Sequence, residues 1–218
     1  MPPERASLLQ GAQAIGVRLS ETQADKLLAY QALLMKWNQV YNLTAVRTPE
    51  SMLTHHLLDS LSVLPALERH RTGRATRMLD VGSGAGLPGL VIAALLPDVQ
   101  VTCVDTVGKK ASFIRQAAGE LKLHNLSAIH ARVEDLKLQP FDVITSRAFA
   151  SLADFTALTH KLLAAEGVWM AMKGKMPQEE IDQLPADMDV FHVEQLTVPG
   201  LNADRCLVWI RPAVETKG

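Results

Sequence analysis

The sequence has few cysteines and no long apolar run. Its 218 residues include two cysteines, Cys103 and Cys206, which form no C-x-x-C pair. This count argues against a disulfide framework, and we expect two free, buried thiols and a cytoplasmic protein. No segment approaches the roughly 18 uninterrupted apolar residues of a membrane span, so no membrane partner is expected. Residues 1–21 lack the charged, apolar and small-residue regions of a signal peptide.

The sequence also lacks an excess of positive charge, since 22 Lys and Arg face 23 Asp and Glu. The net charge of −1 argues against a protein that coats nucleic acid. Local basic clusters remain in residues 69–77, which contain four arginines, and at Lys173 and Lys175. Our hypothesis is that both clusters flank a ligand site and contact phosphates.

Residues 1–70 are expected to form a helical N-terminal extension packed on a domain formed by residues 71–218, as one compact unit. Ser20 and Gln23 have the spacing of a capping box, and the helix that follows is expected to break at Asn38. Thr48 and Pro49 predict a second helix start, and that helix is expected to stop near Pro65. Residues 69–76 are interpreted as a linker.

From Met78 onward, short apolar runs alternate with segments of helical spacing. Such alternation predicts an α/β fold with a mostly parallel sheet covered on both faces. Residues 188–198 and 204–212 are strand-rich and predict a C-terminal antiparallel hairpin at the sheet edge. The predicted parallel strands are residues 77–81, 99–105, 126–131, 141–146 and 167–173, and the predicted helices between them are residues 87–96, 108–123 and 151–165.

A glycine loop, DVGSGAGLPG, follows the first predicted strand. Gly82, Gly84 and Gly86 permit positive φ angles and a close approach of the backbone to a ligand. Open α/β sheets bind ligands beyond the carboxyl ends of their strands, which is where this loop lies. The loop fits the fingerprint of dinucleotide enzymes and also the loop that holds S-adenosylmethionine (SAM).

Two residues favour SAM over NAD. A carboxylate at Asp80 would face a pyrophosphate unfavourably, whereas it suits the cationic methionine end of SAM. Pro88 stands in the first turn of the next helix, where a pyrophosphate would need a free N–H. Asp105, about 20 residues after the loop, suits two ribose hydroxyls in either cofactor. An NAD-dependent oxidoreductase therefore remains a weaker alternative.

Two further segments complete the predicted site. Val133 and Glu134 follow the third predicted strand, where their backbone groups would read the adenine edge. Arg147 follows the fourth strand, at the expected entrance for a methyl acceptor. The Asn/Asp-Pro-Pro-aromatic motif of exocyclic amine methylation does not occur at this position. An acceptor with its own lone pair, such as a purine ring nitrogen, fits better and needs no general base.

The N-terminal motifs admit several interpretations. His56 and Asp59, three apart on a predicted helix, share a face that permits an interaction between them, whereas the pair His55-His56 is interpreted as structural and lacks the third ligand that a metal site needs. Asn42 either caps a turn or lines the acceptor pocket. Trp37 is interpreted as a core residue, with a base-stacking platform as the alternative.

Together these motifs resemble the RsmG (GidB) family of bacterial 16S rRNA guanine-N7 methyltransferases. The resemblance covers nearly the whole chain and rests on WN and YNLTA near residues 37–45, HLLDSL (56–61), LDVGSGAGLPG (79–89) and SRA (146–148). It implies a class I, Rossmann-like SAM-dependent methyltransferase that modifies N7 of a guanine in the 530 loop. The cofactor contacts carried over from the family fall on Gly82, Leu87, Val133, Glu134 and Arg147.

One position departs from the family pattern, since Val133 stands where the family usually has Ala. A backbone contact tolerates this change, whereas a contact that needs a small side chain would shift the adenine. The expected partner is 16S rRNA or the small ribosomal subunit, and the expected state is a monomer. The alternatives are a SAM-dependent methyltransferase of another RNA or small molecule, and a non-catalytic ribosome-assembly factor that binds SAM.

Overall fold

A single seven-stranded sheet lies at the centre of this computed structural model, which describes residues 2–147, 149 and 151–213. Its strands are β1 (Thr76–Val81), β2 (Val99–Asp105), β3 (Leu126–His130), β4 (Phe141–Ser146), β5 (Leu163–Lys173), β6 (Met188–Gln195) and β7 (Cys206–Pro212). Their order is β3-β2-β1-β4-β5-β7-β6. The strand order reverses between β1 and β4, so the carboxyl ends of these two strands flank the topological switch point, where such sheets bind ligands.

Five strands are parallel, and the last two form the predicted antiparallel hairpin at one edge. β1 pairs in parallel with β2 and β4, which pair in turn with β3 and β5. β7 pairs antiparallel with β5 and β6. The predicted fold class is therefore confirmed. Both cysteines are free and buried, as predicted.

The N-terminal region is helical, as predicted. Its elements are α1 (Pro3–Ala14), α2 (Glu21–Tyr41), α3 (Pro49–Met52), a π-helical segment (Leu53–Leu58), α4 (Asp59–Leu61) and α5 (Leu64–Arg71). The capping box of Ser20 and Gln23 is present, and the Thr48 side chain caps the amide of Ser51. None of the described helices is both long and apolar enough to cross a membrane.

One predicted helix boundary in this region is wrong. α2 continues past Asn38 to Tyr41, because the buried Asn38 side chain bonds forward to the loop after the helix and leaves the helix intact. The helical run that begins at Pro49 ends at Leu61, near Pro65 as predicted, and Pro65 itself lies in the first turn of α5, where a missing N–H costs nothing.

The arginine-rich segment is not a linker beside the ligand site. Residues 69–71 complete α5, and the buried guanidinium of Arg71 pairs with Glu68 and Asp98. The segment leads into the amino end of β1, opposite the glycine loop. The hypothesis that this cluster flanks the mouth of the site is therefore wrong.

The helices that cover the sheet are α6 (Gly89–Leu95), α7 (Gly108–Glu120), α8 (Leu152–Thr159) and α9 (Gln178–Asp182). α6 and α7 match predicted helices, although α7 ends before the predicted residue 123, and α9 was not predicted. The helix predicted for residues 151–165 ends early, because pairing of Leu163 with Phe141 begins β5 there. Pairing in the sheet thus overrides the helix propensity of the alanines that follow.

One apolar cluster joins the N-terminal helices to the sheet. Leu27 and Leu34 of α2 belong to the same buried cluster as Ile92 of α6 and Val101 of β2. The polar side of α2 also contacts the α/β region, since the Gln23 side chain donates to the carbonyl of Leu95 at 3.2 Å. These contacts fix the direction of α2, which runs from the end of α6 towards the glycine loop.

Candidate active site

The glycine loop has the positive φ angles that its sequence predicts. Gly82, Gly84 and Gly86 have φ angles of 65°, 59° and 91°. The amide of Gly82 donates to the carbonyl of Val104 at 2.8 Å, which ties the loop to the end of β2. A Cβ on Gly84 would meet nothing within 4 Å, so its backbone faces open space. The loop therefore presents a bare peptide surface at the carboxyl edge of the sheet.

Asp80 lies beneath this loop and is fully buried. Its Oδ2 accepts a hydrogen bond from the amide of Gly89 at 2.8 Å. A Cβ on Gly89 would come within 2.8 Å of this oxygen and of Cys103 Sγ, so glycine is required there. Burial raises the pKa of Asp80 to about 7. The carboxyl group holds the start of α6 in place, and its contact with the methionine end of SAM stays a prediction.

Tyr30 of α2 supports the loop from the other side. Its hydroxyl donates to the carbonyl of Ala85 at 2.9 Å, and the side chain is fully buried. Burial also raises the pKa of this phenol. The role of Tyr30 was not predicted, because nothing in the spacing of α2 distinguishes it from an ordinary core residue.

Asp105 organises the second half of the site. Its Oδ2 accepts from the amide of Gly84 and its Oδ1 from the amide of Val107, both at 2.9 Å. Lys110 lies 3.9 Å from Oδ2. The side chain borders a cavity of about 480 Å³, here called the Asp105 cavity, together with Gly82, Val133, Glu134, Phe149 and Leu158 among others. The Asp105 carboxylate suits a ribose, and the apolar side chains of Val133, Phe149 and Leu158 suit an adenine ring.

A second cavity of about 450 Å³ adjoins the first at Gly82 and is here called the Asp59 cavity. Asp59 is 2% exposed, and its two oxygens accept from Arg147 at 2.9 Å and from Arg205 at 2.8 Å. This carboxylate joins the end of β4 to the segment before β7. Other residues that line the cavity are His55, His56, Ser83, Gly84, Leu87, Met172, Lys173 and Gly174. Three cationic side chains therefore face this cavity, which can receive an electron-rich or anionic group.

His56 makes no hydrogen bond with Asp59, although both lie on one helix face. Its Nε2 hydrogen-bonds with Thr44 Oγ1 at 2.8 Å, and burial lowers its pKa to about 4. The amide of Thr44 donates to Asn38 Oδ1 at 2.9 Å. The π-helical segment thus places a neutral imidazole on the cavity wall and ties it to the loop after α2. Among the described residues, no group of three His, Cys, Asp or Glu is placed to hold a metal ion.

The structure brings seven of the nine predicted site residues to the two joined cavities. Asp80 and Gly86 are the exceptions, since Asp80 lies beneath the loop and Gly86 packs against Ile114 and Leu90. The sequence analysis missed Asp59 as a partner of Arg147, and Arg205 altogether. The seven are Gly82, Gly84, Leu87, Asp105, Val133, Glu134 and Arg147. Which of them contact a bound cofactor stays a prediction, and Ala148 of the SRA motif lies outside the described residues.

The fold and the glycine loop define a class I methyltransferase architecture. Similar solved structures include TrmN from Thermus thermophilus, with a TM-score of 0.58 and 20% identity. That similarity covers 74% of this chain and 53% of TrmN, about half of its length. The ribosomal protein L11 methylase from Lactobacillus delbrueckii subsp. bulgaricus has a TM-score of 0.56 and 13% identity, over 78% of this chain and 81% of that one. At these identities the likeness concerns the fold alone.

The sequence itself identifies the family. The model of the GidB family, described as rRNA small subunit methyltransferase G, matches residues 23–208. A protein from Leptothrix cholodnii named ribosomal RNA small subunit methyltransferase G is 64% identical, over 97% of both chains. A protein of the same name from Acidovorax sp. strain JS42 is 61% identical, over 94% of both. The chain belongs to this family, as its resemblance had predicted.

Proposed function

We propose that this protein transfers a methyl group from SAM to N7 of a guanine in the 530 loop of 16S rRNA. The observation that carries the proposal is the junction of two cavities at Gly82, with a carboxylate at one end and arginines at the other. Membership of the family supports rRNA of the small subunit as the substrate. The acceptor atom and the loop follow from the resemblance of the sequence to the family.

The Asp105 cavity suits the nucleoside part of SAM. Asp105 offers carboxylate lone pairs to ribose hydroxyls, while the amides of Gly84 and Val107 hold it in place. Val133 and Glu134 border the same cavity, where their backbone groups would bind the adenine edge. When bound, SAM supplies an electrophilic methyl group on a sulfonium. Gly82 lies at the junction of the cavities, so its bare backbone leaves room between donor and acceptor.

The Asp59 cavity suits the guanine. Arg147 and Arg205 present N–H donors that match the O6 acceptor of guanine or a phosphate oxygen. Asp59 fixes both guanidinium groups and balances part of their charge. His56 adds no positive charge at neutral pH, because its pKa is lowered to about 4. N7 of guanine carries a free lone pair, so these residues need only align the acceptor and remove no proton before the transfer.

We also propose that the protein acts as a monomer in the cytoplasm. The exposed large apolar side chains of the described chain are spread over α2, α8, β6 and two loops. A stable dimer buries a contiguous patch, which such scattered residues do not supply. Sedimentation at micromolar concentration is expected to give the 23.8 kDa chain mass, and a dimer mass would contradict this proposal.

The proposed reaction is tested by incubating the protein with labelled SAM and 30S subunits from cells that lack the modification. Label is expected in 16S rRNA, and Asp105→Ala is expected to abolish transfer at low SAM. Asp142→Ala is the matched control, because Asp142 also accepts from a backbone amide but at the amino end of β4. Label that appears only in another RNA or a small molecule would contradict the proposal.

A further inference from the structure

Side-chain hydrogen bonds hold the loop after α2 in a defined conformation. Asn38 is buried, and its side chain accepts from the amide of Thr44 and donates to the carbonyl of Val46 at 3.2 Å. Asn42 ends α2 with a φ of 50°, and its Oδ1 accepts from Arg47 Nη2 at 3.0 Å. The sharp turn at Asn42 therefore brings the exposed guanidinium of Arg47 back beside the end of the helix.

α2 carries this loop beyond the glycine loop. The hydroxyl of Tyr30 reaches the glycine loop, and 11 residues of the same helix follow, up to Tyr41. At 1.5 Å per residue these add roughly 16 Å along the helix axis, towards the carboxyl side of the sheet. The bond between Thr44 and His56 then ties the loop to the wall of the Asp59 cavity. The end of α2 and the loop that follows it therefore form a raised rim beside the Asp59 cavity.

Aromatic and cationic side chains lie together on this rim. Tyr41 is 43% exposed, and its ring lies 5.1 Å from that of Trp37, which packs in turn 5.5 Å from Phe113 of α7. Tyr41 and Lys109 are each one helical turn from this contact, Tyr41 along α2 and Lys109 along α7. The two helices run in opposite directions here, so both residues lie on the same side of the contact. Lys109 is exposed at this position.

We propose that Tyr41, Arg47 and Lys109 form a docking surface for single-stranded RNA next to the Asp59 cavity. This inference rests on the proposed function and extends it by locating the flanking nucleotides. The exposed ring of Tyr41 stacks on one base, with Trp37 supporting it from the helix side. Arg47 and Lys109 bind phosphates of the same strand. This accounts for the Trp37-Asn38 and Tyr41-Ala45 motifs, which the cofactor site does not explain.

Binding of fluorescently labelled protein to unmodified 30S subunits tests the surface without requiring turnover. Tyr41→Ala is expected to raise the Kd about tenfold, as loss of one stacked base does, whereas Tyr41→Phe retains the ring and is expected to bind like the wild type. Arg47→Gln and Lys109→Gln are each expected to reduce the slope of log K against log salt by about one phosphate contact. The affinity for SAM is expected to stay unchanged in all four variants.

Two control variants match these changes away from the rim. Phe191→Ala removes an exposed aromatic ring on β6, over which the guanidinium of Arg211 lies. Lys122→Gln removes an exposed lysine just beyond the other end of α7. Both variants are expected to bind 30S subunits like the wild type.

The outcomes separate the docking surface from the proposed reaction. Unchanged 30S affinity in Tyr41→Ala and in both charge variants would overturn the surface, as would equal losses in the two controls. Weaker binding confined to the rim variants, together with absent methyl transfer by the wild type, would keep the surface and overturn the proposed reaction. Weaker binding with normal methyl transfer by the wild type would support both.

Discussion

Asp59 Oδ2 accepts a hydrogen bond from Arg147 Nη1 at 2.9 Å, and this contact joins the N-terminal helices to the end of β4. The other oxygen of Asp59 binds Arg205. The carboxylate is almost completely buried, whereas both guanidinium groups are partly exposed to the cavity. Asp59 thus positions two cationic side chains on the wall of the Asp59 cavity.

Replacement of Asp59 by Asn is expected to reduce both stability and methyl transfer. The change leaves two neighbouring guanidinium groups without a counter-charge, so we expect a loss of about 1–3 kcal/mol in unfolding free energy and about 10-fold or more in kcat/KM for 30S subunits. Urea denaturation and a methyl-transfer assay measure the two effects. Asp189→Asn, which breaks the exposed pair with Arg211, is the control and is expected to cost under about 1 kcal/mol. Equal effects in the two variants would contradict this role for Asp59.

Tyr30→Phe is expected to loosen the glycine loop. The change removes one buried hydrogen bond and leaves the carbonyl of Ala85 unpaired, at a cost of about 1–2 kcal/mol. Part of this loss is expected to appear as a several-fold higher Kd for SAM, measured by calorimetry. Tyr41→Phe is the control, because it removes a hydroxyl from the same helix at an exposed position. An unchanged Kd and an unchanged stability for Tyr30→Phe would show that the bond does not support the loop.

Asp80→Asn is expected to stabilise the protein increasingly as the pH rises. Burial raises the pKa of Asp80 to about 7, above the value of about 3.9 in an unfolded chain. Between these values the folded protein binds more protons than the unfolded chain, so the contribution of Asp80 to stability falls as the pH rises and stays low above pH 7.

The unfolding free energy of Asp80→Asn relative to wild type should therefore increase by about 2–3 kcal/mol between pH 5 and pH 8. Urea denaturation at the two pH values measures this difference. Asp142→Asn, whose carboxyl group lies at the amino end of the sheet, is the control. If the unfolding free energy of Asp80→Asn relative to wild type stayed constant with pH, a raised pKa of Asp80 would be ruled out.

The rate of methyl transfer is expected to show no titration of His56. The pKa of His56 is lowered to about 4, so its ring stays neutral from pH 6 upward. Since N7 of guanine has no proton to lose, kcat is expected to vary by less than about threefold between pH 6 and pH 9. Single-turnover rates across this range provide the test. A rise with a midpoint near pH 6.5 that disappears in His56→Gln would contradict this account.

Local patterns predicted much of the fold. The capping box at Ser20, the N-cap at Thr48 and the alternating strands depend on neighbouring residues, and the structure confirms them. The end of the helix after Ser151 was wrong because strand pairing with Phe141 decides where β5 begins. Such pairing joins segments far apart in the sequence, which periodicity alone does not reveal.

Part of the candidate site was predictable from local patterns in the same way. The glycine loop follows β1 and Asp105 ends β2, so their spacing indicated where they would meet. Arg205 and Tyr30 were missed because each acts through a partner far along the chain, Asp59 and Ala85 respectively. The arginines of residues 69–77 were predicted at the wrong end of the sheet, since charge in a sequence does not reveal the end at which it lies.

The most direct test of the account is to locate the methyl group on the RNA. After reaction with unmodified 30S subunits, 16S rRNA would be treated for strand cleavage specific to N7-methylguanine and mapped by primer extension. The account predicts a single new cleavage, in the 530 loop, which is absent when SAM is omitted. Incorporation of label without this cleavage, or cleavage at another guanine, would contradict it.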